Sequence, residues 1–437
     1  MRNLTGVVLR VFMVLVIGAG PALAAGSGAY RIEVPDAGAV GKGSAFAGQA
    51  NTPAAVYYNP AGMTQIVGQA VSVGLSLIEP HTTYKSTNTA DAMQMKRGDF
   101  PIPNFFYVTR LGTENVALGI GTTTAWGLTT EWMPDSVLRY TATKTEMINH
   151  DYYISAAYKI NEQWSAALGL NIDQSKVVME RKMSPDAVGG SVDGNIRLAG
   201  GDTAAGFLAA TMFKLNAKHQ FGLMYRSAIH QKLKGKVHID NMDPNFVGAG
   251  IFPSTSYETD VMVKSILPQA LIFGYSFKPD EKWTINMDVE WTDWSSMRQI
   301  APTYTSETDT DILGVLQNGY PVNKDWHSSL AFAMGVEFAV TDRWRLRTGT
   351  YIHQSPVPKS TWDPSVPDSD SLALTMGTGY DLTKDLTLDV AWSGIIYKTR
   401  TVNNNVGNSN GDGQLTSVDG KYRQWINLMY ATATYKF

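Results

Sequence analysis

The stretch KYRQWINLMYATATYKF, Lys421 to Phe437, decides the fold. Counted back from Phe437, every second residue (Tyr435, Ala433, Ala431, Met429) is apolar or small, and the chain stops on an aromatic ring. Side chains of a strand alternate between its two faces, so this is a period-two strand with one face for lipid and one for something polar, finishing at a membrane–water boundary.

The opposite end of the chain agrees with that reading. Arg2 and Arg10 form a positive region, Val11 to Ala19 a short apolar core, and Ala22-Leu23-Ala24 a small-residue cleavage site, so residues 1–24 are expected to be a secretory signal peptide. The apolar run is too short to cross a hydrocarbon core of ~30 Å as a helix. A terminal strand ending in Phe437 resembles the signature that outer-membrane barrels present to their assembly machinery, which is therefore an expected partner.

Composition narrows the alternatives. There is no cysteine, hence no disulfide and no thiol chemistry. Forty glycines, twenty tyrosines, eleven tryptophans and only 17% charged residues suit a turn-rich β-protein with interfacial aromatics. A formal net charge of −3 without basic runs argues against nucleic acid as a partner.

Alternation recurs along the chain: Val71 to Leu77, Trp164 to Ile172, Trp283 to Trp291, Leu330 to Phe338 and Leu386 to Trp392. Phe221, Leu223 and Tyr225 run on through Ile229, Leu233, Val237 and Ile239 in what reads as unbroken register, with Arg226, Lys232, Lys234, Lys236 and His238 on the other face. These runs match the ~9 residues a tilted strand needs to cross a bilayer. Charge opposite an apolar face predicts a polar interior. The expected fold is all-β, a transmembrane antiparallel β-barrel of about 14 strands, an even number because both ends lie in the periplasm. Residues 25–66, rich in Gly and Ala with little alternation, form a separate N-terminal segment; 67–437 form the barrel. The polar stretch Asn403–Gly413 reads as a solvated extracellular loop, with Asn/Asp/Gly spacing that faintly suggests calcium but no terminal Glu.

Motifs in the N-terminal segment carry a resemblance. Gly41-Lys42-Gly43-Ser44-Ala45-Phe46-Ala47-Gly48-Gln49-Ala50, then Tyr57-Tyr58-Asn59-Pro60-Ala61-Gly62-Met63, resemble the hatch of the FadL/TodX family of outer-membrane transporters. Gly127 to Trp132, Tyr225-Arg226-Ser227, Leu267-Pro268, Arg347-Thr348-Gly349 and Ser355-Pro356-Val357-Pro358 with Pro367-Asp368 resemble further family segments in order. The resemblance implies a 14-stranded barrel in the outer membrane, plugged by the hatch 25–66, taking up long-chain fatty acids or other hydrophobic small molecules without a cofactor. It implies lateral exit into outer-membrane lipid through a gap at a kinked third strand.

The resemblance also assigns residues. Asn59, Pro60 and Ala61 would sit in the hatch near the kink, Pro60 preventing strand extension and Asn59 bonding backbone groups left unpaired; a simple Asx-Pro turn is the alternative. Gly127 matches the kink, or is an ordinary strand-end glycine. Arg181, in Glu180-Arg181 just beyond the Trp164 strand, resembles an arginine that grips the substrate carboxylate, or else pairs with Glu180 in a loop. The family's second cation is not clearly matched: Gln317-Asn318 holds its place, with Lys324 a few residues on, which raises the hydrocarbon alternative. Arg343, Arg345 and Arg347 read as a lumen charge network with residues such as Asp288 and Glu290. The seven histidines show no metal-ligand spacing, and no Gly-x-Ser-x-Gly or His-Glu-x-x-His motif supports catalysis. A hydrolytic or a purely adhesive barrel are the rival classes.

Overall fold

The computed structural model describes residues 28–32, 36–404, 406 and 417–437. The expected signal peptide and most of the 403–413 loop lie outside these residues.

Fourteen antiparallel strands form the wall. They are β1 (Gln69–Ser86), β2 (Phe100–Arg110), β3 (Val116–Thr123 and Gly127–Glu131), β4 (Lys144–Lys159), β5 (Trp164–Met183), β6 (Gly194–Lys214) and β7 (His219–Arg226 and Ile229–Asp240). The circuit continues with β8 (Tyr257–Leu267 and Ala270–Phe277), β9 (Trp283–Thr292), β10 (Ser329–Ala339), β11 (Trp344–His353), β12 (Ser371–Asp381), β13 (Leu386–Tyr397) and β14 (Gly420–Lys436). The C-terminal strand closes the barrel: β14 pairs with β1 from Ala70↔Lys436 to Ser86↔Gly420. Closure pairs the first strand with the last, so neither presents an open edge, as backbone polar groups in hydrocarbon require. No described helix is long and apolar enough to cross a membrane.

Short turns such as Lys159 to Trp164 and Phe277 to Trp283 join strands at the end that holds Gln69 and Lys436; longer connections lie at the other, which is the extracellular side for such a barrel. Leu168, Phe207, Phe332, Val390 and Met429 are exposed on the outer face, forming the lipid-facing band. Serine, asparagine and aspartate residues, Asn171, Asp173, Asn286 and Asp288 among them, are buried on the inner face.

The expected unbroken register of β7 is incorrect. Arg226 lies opposite Leu208 of β6, while Lys234 lies opposite Gly201, so nine residues of β7 span eight of β6. One extra residue at Ser227–Ala228 reverses every side chain beyond it. Leu223 therefore faces lipid while Leu233, Val237 and Ile239 are buried inside; Arg226 points inward, and Lys232, Lys234 and Lys236 point outward. The inner cluster they join, with Phe246 of α3 (Pro244–Gly248) and Ile312 and Leu316 of α4 (Thr310–Leu316), lines the extracellular half of the lumen; α1 (Ala37–Val40) and α2 (Ala55–Tyr58) precede the barrel.

Residues 36–66 cross the lumen almost wholly buried. Polar wall groups satisfy their backbone: Thr432 Oγ1 accepts from Ala37 N at 3.0 Å, Thr375 Oγ1 from Gly43 N at 2.9 Å, and Asp288 Oδ2 from both Phe46 N and Ala47 N at 2.8 Å. Arg226 bonds Tyr57 O and lies 3.8 Å from the centre of the Tyr57 ring. Close approach is possible because the facing wall is glycine. Gly222 pairs with Gly274, and Gly335 with Gly349; a Cβ on Gly335 would overlap Lys42 O, and one on Gly349 would overlap Gly43 N.

Candidate functional site

The wall is interrupted between β2 and β3. β2 and β3 are paired from Arg110↔Ala117 to Phe105↔Thr122, and there the ladder stops. Phe100 to Asn104 remain paired with β1 only, whereas Gly127–Glu131 is paired with β4 only. Five residues of β3, from Thr123 to Gly127, span four of β4, from Asp151 to Ile148. The extra residue bends β3 away from β2 and leaves donors and acceptors of Thr124 to Gly127 to be satisfied elsewhere.

Two groups take them. The N-terminal residues Tyr30 to Ile32 form a short strand-like contact: Gly127 N donates to Tyr30 O at 2.9 Å, Ile32 N to Ala125 O at 2.9 Å, and Arg31 bridges antiparallel to Trp126. From behind, Asp151 Oδ2 accepts from Ala125 N at 2.9 Å. Asn59 does not reach this backbone. Its Nδ2 donates to Ala47 O at 3.0 Å and Thr211 O at 3.2 Å, and its Oδ1 accepts from Ala61 N at 3.1 Å, at the start of the 3-10 helix Pro60–Gln65. Pro60 holds the first position of that helix, where its missing N–H costs nothing.

Above the break lies a buried aromatic group. The Tyr30 ring meets Trp294 edge-on at 4.8 Å, and Trp294 contacts Trp126 at 5.7 Å and Trp326 at 5.4 Å. Arg31 is buried against Glu290 as an ion pair, and donates to Thr292 Oγ1 at 3.3 Å. Burial pushes the Tyr30 hydroxyl far above the usual phenol range, so it stays neutral.

On the extracellular side a cavity of about 350 Å³ is lined by Met179, Leu198, Ile300 and Val322 together with Arg181 and Lys324. The Trp164 strand continues to Met183, so Arg181 belongs to β5 and not to a loop beyond it. Neighbouring strand residues face opposite ways, so the alternative Glu180–Arg181 pair does not form. Glu180 pairs with Arg197 across the outer face at 3.3 Å, while Arg181 points inward. The Arg181 guanidinium donates to Asn318 O at 3.0 Å and lies 5.5 Å from the Tyr320 ring centre. Lys324, near the place of the unmatched second cation, is buried and ion-paired with Asp363. Burial opposes ionisation of Asp363, but the Lys324 ammonium outweighs it and holds the carboxyl below its usual range.

The expected arginine network has other partners. Arg347 bonds Glu337 at 2.6 Å and also Asp389, and Arg345 bonds Asp381 at 2.6 and 2.8 Å. Register explains the correction: Arg347 is directly opposite Glu337, whereas Glu290 faces Arg31 and Asp288 binds the segment crossing the lumen. Arg343 precedes β11.

Asp151, Tyr30 and Arg31 were not expected at this site from the sequence, and Glu290 was expected with other partners. A signal for the first existed: Asn149-His150-Asp151 and Asn171-Ile172-Asp173 repeat one triplet on adjacent strands, and Asp151 pairs directly with Asp173.

Comparison with known proteins places this geometry. The long-chain fatty acid transport protein of Escherichia coli (strain K12) is 26% identical over 388 residues, covering 81% of this chain and 84% of the relative. Outer membrane protein P1 of Haemophilus influenzae is 21% identical, covering 85% and 86%. Among solved structures, a Pseudomonas aeruginosa FadL homologue superposes with a TM-score of 0.81 at 20% identity, covering 94% of this chain and all of that one. The Pseudomonas putida toluene transporter TodX gives 0.68 at 15% identity, with 94% and 98% covered. Residues 16–437 match the family described as Outer membrane protein transport protein (OMPP1/FadL/TodX), and the chain belongs to that family of outer-membrane barrels.

Proposed function

We propose that this protein is a passive channel for hydrophobic small molecules, long-chain fatty acids first among them, with lateral exit between β2 and β3. One observation carries the reading: the ladder between those strands ends at Phe105 and Thr122, and Tyr30 to Ile32 occupy the break. A substrate would be held in the extracellular cavity, its carboxylate on Arg181, whose guanidinium, among the described residues, is hydrogen-bonded to Asn318 O. It would pass the Tyr30–Trp126–Trp294–Trp326 group when residues 25–66 shift as a hatch. Asn59, Pro60 and Ala61 would shape that hatch, and Gly127, which donates to Tyr30 O, would break from the N-terminal residues on opening. Leaving sideways into lipid spares an acyl chain exposure to water that costs about 0.8 kcal/mol per CH₂. Residues 1–24 would direct secretion, and Phe437 would present the barrel to its assembly machinery.

The fatty-acid relative and the inward Arg181 support an anionic substrate. The hydrocarbon reading draws on Lys324, whose charge is taken up by Asp363, leaving the cavity one cation fewer for a carboxylate. The family of transport proteins fits a non-catalytic barrel.

Uptake of radiolabelled oleate and, separately, toluene by cells lacking their own hydrophobic transporter tests both readings, with Arg181→Ala alongside. Oleate uptake that falls in the variant is the expected result. Toluene uptake indifferent to Arg181 selects the hydrocarbon reading, and uptake of neither by a folded barrel removes both.

A further inference from the structure

The inserted residue in β7 has a consequence on the outer face. Beyond Ser227–Ala228 the lysines turn outward, and the registers place them in one field: Lys176 and Lys234 stand either side of Gly201, and Lys232 lies directly opposite Lys264. All four side chains are exposed. None of the four has a carboxylate partner among the described residues. Nearby acids are committed elsewhere: Glu258 to Lys236, Asp202 to the Lys232 backbone N–H at 2.6 Å, and Asp260 to Ser306.

Position in the membrane gives this field a meaning. Phe207 and Leu170 face lipid, Ile172 continues the outward row of Leu170, and the lysines follow on the long-loop side. Strands lie about 4.8 Å apart, so four ammonium groups share a width of about 15 Å across β5–β8. Like charges directly opposed, as Lys232 and Lys264 are, destabilise a sheet unless a counter-ion joins them. At Gly201 the wall between Lys176 and Lys234 carries no side chain, leaving a shallow saddle.

We infer that Lys176, Lys232, Lys234 and Lys264 form a docking surface for the phosphate groups of a phosphorylated glycolipid headgroup in the outward-facing leaflet. The acyl chains of that lipid lie against the apolar band below while the phosphates reach the saddle, so each part of one molecule meets its complement. The site is separate from the lumen and does not depend on what the channel carries.

The full chain, reconstituted in phosphatidylcholine vesicles containing either diphosphoryl lipid A or the same lipid with its phosphates removed, tests this by native mass spectrometry of retained lipid. The wild type is expected to retain the phosphorylated form at least about tenfold over the dephosphorylated one, a preference weakened by salt. Lys176→Gln/Lys232→Gln/Lys234→Gln/Lys264→Gln should reduce that ratio to within about twofold of unity. A control carrying Lys278→Gln, Lys282→Gln and Lys384→Gln at the short-turn end should keep it. Heat-modified gel mobility checks folding, and Lys232→Gln/Lys264→Gln, expected to give an intermediate ratio, substitutes if the quadruple variant misfolds. No preference in the wild type, a preference retained without these lysines, or an equal loss in the control overturns the proposal. Displacement of the glycolipid by inorganic phosphate at equal concentration would assign the site to free anions and overturn the lipid.

Discussion

Asp151 Oδ2 lies 2.9 Å from the backbone nitrogen of Ala125, at the centre of the break in β3, and the two are joined by a hydrogen bond. Bending a strand away from its neighbour strands backbone donors in a setting without water. Asp151 caps one of them, while Asn171 Nδ2 holds the other carboxylate oxygen at 3.0 Å. The bend is thus held from the wall by a side chain of β4, alongside the N-terminal residues that fill the gap.

Asp151→Ala removes that acceptor and leaves the Ala125 N–H buried without a partner, a loss of about 1–3 kcal/mol. Urea unfolding of the refolded barrel should register it, and amide exchange should quicken at Ala125 to Gly127. Asp151→Asn, which still offers an oxygen, should fall between. Unchanged exchange in the alanine variant would mean that the bend is held by something else.

These residues mark where the sequence was legible and where it was not. Period-two runs such as Trp283 to Trp291 identified lipid-facing positions because Asn286, Asp288 and Glu290 alternate with them and cannot face hydrocarbon. In β7 the same logic failed at Ser227–Ala228. Leu233 and Val237 are apolar because the upper lumen is apolar, so hydropathy did not distinguish lining from lipid face, and a one-residue insertion left no break in the pattern. Arg181 was found through resemblance, but which way it points depended on the length of β5. Asp151 acts on a residue of another strand; the Asn-x-Asp triplet around it marks an inward polar pair with Asp173 but does not point to Ala125.

Buried Arg31 and the largely covered Glu290 form a pair that ties the gap-filling residues to β9. Arg31→Ala should cost more than the pair itself is worth, about 3–5 kcal/mol of local stability, because Glu290 is left buried without its counter-charge. The expected readout is higher baseline conductance in planar bilayers. Arg31→Gln/Glu290→Gln should conduct less than Arg31→Ala, since both charges are gone. A double variant as leaky as Arg31→Ala would show that the ion pair does not hold the gap closed.

Seating of residues 36–48 should depend on pH. Burial and then the neighbouring Asp389 raise Asp36 from an ordinary 3.8 to about 6, while burial lowers Lys42 from 10.5 to about 8. For Asp36 the folded value is the higher, so its contribution is fully present below about 4 and lost as pH rises through 6. For Lys42 the folded value is the lower, so its contribution is present above 10.5 and lost as pH falls through 8. Between pH 6 and 8 both are charged, with Glu337, Arg347 and Asp389 facing them, and seating is weakest. Protection factors in this segment, taken relative to the intrinsic exchange rate at each pH, should be higher at pH 5 than at pH 7, and Asp36→Asn should remove most of the difference. Equal protection factors at both pH values in the wild type would refute the assignment.

Gly335 offers the sharpest separation of barrel from plug. Glycine weakens a strand, so Gly335→Val should, taken alone, favour β10. Yet a side chain there runs into Lys42 O, and the plug cannot yield by a small backbone change. Gly43, next along, already sits at φ +64, where an added Cβ would lie 2.6 Å from Thr350 O. The two effects therefore have opposite signs in two parts of one molecule. Gly335→Val should keep the heat-modifiable mobility of a folded barrel while exchange protection of residues 41–48 collapses and conductance rises. A variant in which those residues stay protected would mean that the plug tolerates the added side chain and that the paired glycines are not what seats it.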